Sequence, residues 1–229
     1  MLNKNSLYTP AFLTLFLANL CMVSSFTAFF LFPLFITDRG GGEREIGIIM
    51  GVFALASAGC RPWISEMIDR LGRKRCFTIG SIIMTLMPLL HLFLSGPLAG
   101  FYSLLLLLRV VHGIGLAICF TAVFTFVADI IPEGRLNEGI GMFGVSGLIG
   151  MAIGPALAEP IMENFGYSAF FLTASALAAC ALLLHLPVKV EDHPEQHLVQ
   201  DSPSFFALFG QSHVQLKQRL VRPRYTTSR

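Results

Sequence analysis

The stretch Gly139-Ile140-Gly141-Met142-Phe143-Gly144-Val145-Ser146-Gly147-Leu148-Ile149-Gly150-Met151-Ala152-Ile153-Gly154-Pro155-Ala156-Leu157-Ala158 can be read in two incompatible ways. Its first six residues satisfy GxGxxG, the glycine pattern that opens a dinucleotide-binding helix after a strand. They follow a charged loop, however, with no strand before them, and they open a run that carries no charge at all. A nucleotide fold is therefore excluded. As a membrane helix the same residues make sense: Gly147, Gly150, Gly154 and Ala158 recur at helical spacing as a smooth face, and Gly150 to Gly154 is a GxxxG pair. Pro155 removes the hydrogen bond to the Met151 carbonyl, which predicts a bend there.

The rest of the chain repeats this character. Further charge-free runs cover Asn5 to Thr37, Ile46 to Cys60, Cys76 to Leu108, Val110 to Ala128 and Asn164 to Val188. Most are near or above the roughly 20 apolar residues that cross about 30 Å of hydrocarbon. Only 13% of the residues are charged, against roughly 25% in soluble domains, and the mean hydropathy is +0.69. A soluble or disordered chain is excluded. The net charge of +2 is too weak to argue for nucleic acid. Cys21, Cys60, Cys76, Cys119 and Cys180 stand singly in or at the ends of apolar runs with no CxxC pair, so neither a metal site nor a disulfide framework is expected. No HExxH, GxSxG or P-loop string occurs, and no pair of acids lies within one run, which argues against an enzyme; no cofactor is called for.

With Ser95-Gly96-Pro97 as punctuation, six helices are predicted at about 10 to 36, 45 to 65, 76 to 94, 98 to 126, 138 to 160 and 167 to 187. The expectation is an all-α membrane protein with a six-helix bundle over residues 1–188 and a cytoplasmic tail over 189–229. Lys4, Arg61, Arg70, Arg73, Lys74, Arg75, Arg135 and Lys189 fall on one side, and Arg39 and Arg44 on the other, so both termini are expected in the cytoplasm. The first run far exceeds the 7 to 15 apolar residues of a signal peptide, and the first helix is expected to stay. The tail turns acidic, then basic from Lys217 to Arg229; its composition reads as largely disordered, with an interfacial helix on anionic lipid as the alternative.

Three places carry candidate chemistry. Arg109 interrupts the fourth helix, where a buried charge costs at least about 2.5–3.5 kcal/mol and must face protein or water. His112, at i+3, shares its face. Asn19 adds a polar group near the middle of the first helix, and Arg109, His112 and Asn19 are the residues expected to couple substrate or protons. Arg109 reads as functional, with a structural role bonding a neighbouring helix as the alternative; His112 reads equally as ligand or as packing. The loop after the second helix contains Asp69, Arg70, Gly72, Arg73, Lys74 and Arg75. Gly72 permits a tight turn and the cations meet inner headgroups, or the loop fixes orientation only. The glycine face is expected to pack another helix, and a second bundle is its expected partner.

Taken together these residues resemble the major facilitator superfamily, in particular the N-terminal six-helix half of its drug- and sugar-efflux members, over about residues 8 to 188. The loop signature is matched by Asp69, Arg70, Gly72, Arg73, Lys74 and Arg75, with Ser65 in place of its leading glycine. The fourth-helix signature R-x-x-Q-G is matched by Arg109 and Gly113, with His112 replacing the amide. The antiporter signature of the fifth helix is matched at Gly141, Gly150, Gly154 and Pro155, with Ala158 and Glu159 in place of its final glycines. The stretch from Ala128 to Arg135 is similar to the usual loop between the fourth and fifth helices. The resemblance implies that the loop latches the cytoplasmic side, that Arg109 takes part in proton or substrate coupling, and that the fifth helix forms a gate. It implies a cell-membrane secondary transporter that exports a small molecule by proton antiport. The partners expected are therefore substrate, protons, membrane lipid, and a second copy or a separate C-terminal half, since alternating access rocks one half against another. The alternative is a truncated or regulatory membrane fragment without transport.

Overall fold

The computed structural model describes residues 6–188, which belong to one compact unit. Lys4 and the expected tail, residues 189–229, lie outside the described residues. Among those described, every regular element is helical.

Helix α1 (Pro10–Ala28) starts where Thr9 Oγ1 accepts the N–H of Phe12 at 3.2 Å and Pro10 occupies the first turn, where its missing N–H costs nothing. The chain then tightens into a 3₁₀ turn at Phe29–Leu31 before α2 (Phe32–Asp38). Pro33 has no N–H to offer the carbonyl of Phe29, and the N–H of Phe32 donates to it instead. Helix α3 (Glu43–Gly59) meets α4 (Arg61–Leu71) at 48°, with Pro62 in the first turn of α4. Gly72, at φ 85°, turns α4 into α5 (Arg73–His91), the tight turn that its missing Cβ allows. Helix α6 (Leu98–Ile130) follows, and α7 (Leu136–His185) leaves helical dihedrals only at Gly166, where φ is 78°.

Several expectations need correction. The third helix starts at Arg73, so the cationic cluster forms its first turn and is not a loop. The fifth continues through Pro155 and Pro160 to Gly166, because a proline removes one hydrogen bond without by itself ending a helix that is packed along its length. By length and apolarity three helices can cross a membrane, Pro10–Asp38, Leu98–Ile130 and Glu133–His185, or four if α3 and α4 form one bent span. The six expected are not all separate by this measure. Three basic residues open the 19-residue α5, and Glu133–His185 is a single run of 53 residues, which if straight would be about 80 Å long, more than twice the hydrocarbon thickness.

Helix α1 packs along α7, α5 lies against both α6 and α7, and α3 lies against α6. Small residues allow these approaches. A Cβ on Gly150 would meet the Leu20 carbonyl oxygen at 2.8 Å and Val23 Cβ at 2.9 Å, and one on Gly154 would meet the Ser24 carbonyl oxygen at 2.5 Å and collide with Thr27 Oγ1. The face of Gly150, Gly154 and Ala158 is thus buried inside this bundle against α1 and is not free for a second one. The expectation of an inter-bundle contact there is overturned: glycine spacing shows that a helix approaches, and the hydroxyl-bearing face of α1 is the helix that does. On the other side of the bundle, a Cβ on Gly113 would lie 2.5 Å from the Phe53 carbonyl oxygen, so α6 and α3 also touch backbone to backbone.

The two ends of the bundle are tied separately. Arg73 forms an ion pair with Asp129, and Lys74 Nζ donates to the Leu186 carbonyl at 2.7 Å. At the other end the Leu98 N–H donates to the Arg39 carbonyl at 2.9 Å and Arg39 Nη1 to the Gly96 carbonyl at 3.4 Å. The exterior between these ends is apolar: Leu55 is 74% exposed, Leu148 68% and Leu183 67%. Such a surface suits hydrocarbon as solvent.

Candidate functional site

Arg109 is the largest fully buried side chain of the described residues, at 1% exposure. Helix α6 brings it inward together with His112, which is wholly buried. The 3₁₀ turn and α2 bring Phe29 and Phe32, and α3 brings Phe53. The guanidinium carbon lies 4.2 Å from the Phe53 ring centroid, 5.0 Å from that of Phe32 and 5.4 Å from that of Phe29. A desolvated contact of this kind contributes about 2 kcal/mol. Three together are of the same order as the lower estimate of about 2.5–3.5 kcal/mol for a charge at mid-membrane, which explains how Arg109 is tolerated. The rings accept no hydrogen bonds in the guanidinium plane, however. Arg109 Nη2 reaches only Met50 Sδ, at 3.7 Å, and Nε and Nη1 have no hydrogen-bond partner.

His112 stands edge-on to Phe29 and Phe53, with ring centroids 4.8 and 5.5 Å away, and both its nitrogens are without partners. His91, at the end of α5, is the third member and escaped the sequence reading. It is buried, its ring centroid is 6.4 Å from that of His112, and its Nδ1 donates to the Met87 carbonyl at 2.7 Å. Its position in an apolar run was the available signal, whereas His112 stands out by sharing a helical face with Arg109. The aromatic cage had none, because buried and lipid-facing phenylalanines look alike in a sequence.

Asn19 is not engaged with Arg109 or His112 by hydrogen bond. Its Nδ2 donates to Ser146 Oγ at 2.7 Å, and Ser146 donates to the Phe143 carbonyl at 2.6 Å. Thr27 Oγ1 donates to the Gly150 carbonyl at 3.1 Å, and Ser25 Oγ to the Ala174 carbonyl at 2.6 Å. Of the fifth-helix motif, Gly150, Gly154 and the half-buried Pro155 belong to this contact or its edge, whereas Gly141 is exposed with open space where a Cβ would stand.

In the α4–α5 motif, Asp69, Arg70, Gly72 and Arg75 are exposed, and Arg70 pairs with Glu66 at 2.5 Å. Arg73 and Lys74 are the members that reach other helices, through Asp129 at the end of α6 and Leu186 after α7. Asp129 stood in the sequence only as part of a connecting loop; an acid at the end of a long apolar run was the signal for it. At the start of α7, Arg135 holds Glu138 in a two-pronged pair at 2.6 and 2.8 Å. No group of metal-ligating side chains occurs among the described residues.

The family model described as Major Facilitator Superfamily matches residues 14–226. An uncharacterized MFS-type transporter of Methanocaldococcus jannaschii is 28% identical over 159 residues, covering 69% of this chain and 40% of that protein. The multidrug resistance protein MdtL of Escherichia coli is 23% identical over 178 residues, covering 75% and 42%. The staphylopine export protein of Staphylococcus aureus is 27% identical over 168 residues, covering 73% and 41%. The chain spans about two fifths of the length of these relatives.

Proposed function

We infer, from the fact that this chain belongs to the major facilitator superfamily, a family of multi-pass membrane transporters and not of enzymes, that it supplies one six-helix half of an efflux-type secondary transporter. Its six spans are α1 with α2, α3 with α4, α5, α6, and the two limbs of α7 on either side of Gly166. The half works against a second bundle, in the cell membrane, and exports a small molecule in exchange for protons. Arg109 and His112 are its coupling residues; Asp69, Arg70, Gly72, Arg73, Lys74 and Arg75 latch the inner side; Gly141, at the exposed start of α7, faces the gate. Asn19 ties α1 to α7 beside them. Both termini are cytoplasmic, an orientation supported by the cationic side chains grouped at the end where Arg73 meets Asp129.

The observation that carries this reading is the family match together with relatives named for multidrug resistance and staphylopine export. The test is ethidium export from bacterial cells that lack their own efflux pumps. Cells expressing the chain should export faster than controls, and a protonophore should abolish the difference. Cysteines placed at Arg73 and Arg135 should react only from the cytoplasmic side, and one at the exposed Arg44 only from outside. Absence of export by the chain, with or without a second half, would overturn the transport reading.

A further inference from the structure

Five buried nitrogens without hydrogen-bond partners belong to one side-chain cluster built from two helices: Nε and Nη1 of Arg109, both ring nitrogens of His112, and Nε2 of His91. A buried polar atom left bare costs about 1–3 kcal/mol, so the cluster as a whole favours a polar occupant. Arg109 also lacks a counter-charge, since each ion pair among the described residues is made by another arginine. The geometry points to an internal site for a small monovalent anion, received by the N–H groups of Arg109 and His112 and, with uptake of one proton, by Nε2 of His91.

Water is the competing occupant. It could donate to the imidazoles and accept from Arg109, but it would leave a full positive charge in the apolar bundle, whereas an anion removes it. The proton follows from the donor inventory. His91 Nδ1 faces a carbonyl, which only accepts, so Nδ1 carries a hydrogen and the neutral ring presents Nε2 as a bare acceptor that repels an anion. Protonated, the same atom donates. Among the described residues the surroundings add no other titratable group: Phe29 and Phe32 face the cluster from the α1–α2 side, Met50 and Phe53 from α3, and Phe171 from α7. Anion binding should therefore tighten as pH falls. It is read without flux, so its failure would leave the transport reading standing.

The experiment uses the full chain in lipid nanodiscs. Radioactive chloride binding and thermal unfolding are measured with sodium chloride replacing sodium gluconate at constant ionic strength, at pH 6 and pH 8. Saturable chloride binding that raises the unfolding temperature, more at pH 6 than at pH 8, is expected. His91→Phe keeps a ring against Phe29, Phe32 and Phe171 and should weaken binding about tenfold, the effect of one hydrogen bond to a charged group, and flatten the pH dependence. If the first variant does not fold, His112→Phe removes one donor while keeping His91, and should weaken binding about tenfold with the pH dependence retained. Competition by acetate would assign the site to carboxylates, such as that of a transported substrate, and indifference to acetate would assign it to free halide. Saturable binding absent from the wild type, or binding by either variant equal to the wild type's, would overturn the site and leave water as the occupant.

Discussion

The contact between α1 and α7 and the cluster around Arg109 are both buried and both polar, yet they are built on opposite rules. Along the first, the side-chain hydroxyls and the amide find partners: Asn19 on Ser146, Thr27 on the Gly150 carbonyl, Ser25 on the Ala174 carbonyl. Around the second, five nitrogens stay bare among aromatic rings. Satisfied polar atoms between helices that touch backbone to backbone hold a bundle together. Bare ones in a place this dry mark where something else has to enter or act.

The largest effect should come from breaking the satisfied side. Gly154→Leu places bulk against Thr27 and Ser24, where no flexible side-chain end can yield, and should lower stability by about 3 kcal/mol or prevent assembly. Gly141→Leu, with open space at its Cβ, should unfold like the wild type. Thermal unfolding of both in nanodiscs tests the contrast within one helix. On the bare side, Arg109→Lys should insert and fold, because the ammonium still meets the rings, but lose export about tenfold or more, since a point charge cannot reproduce the planar fork. Export equal to the wild type would return Arg109 to a structural role.

A smaller effect belongs to the inner end. Exchanging Arg73 and Asp129 should restore most of the stability lost by either single reversal, with a coupling of about 1 kcal/mol in a double-mutant cycle, modest because Arg73 is partly solvated. The smallest belongs to Asn19. Asn19→Ala should cost about 0.6 kcal/mol, the mean for an interhelical side-chain hydrogen bond in a membrane, and leave export unchanged; a loss of export would move Asn19 into the coupling group.

The contrast also explains what could be read in advance. Apolar runs announce helices wherever hydrocarbon is the solvent, and Gly72 and the Ser95-Gly96-Pro97 break act where their chemistry places them. The continuation of α7 past Glu159 and Pro160 was hidden, because charge and proline resemble an ending when the packing of the helix is unknown. The glycine face was legible as a surface of close approach, but its partner was not: Ser24, Thr27 and Ala28 lie more than a hundred residues away. The bare nitrogens were least legible of all. Arg109 and His112 stand out in an apolar run, whereas their want of partners is a property of every helix around them.

One consequence lies in the joint at Gly166. Helix α1 donates to the first limb of α7 through Thr27 and to the second through Ser25, so it lies across that joint as a splint lies across a fracture. The glycine is free to swivel, but the two limbs are not, unless α1 lets go of one of them. Motion of this half against a neighbour therefore carries α1 and both limbs as a single beam, with Asn19 and Ser146 among its rivets.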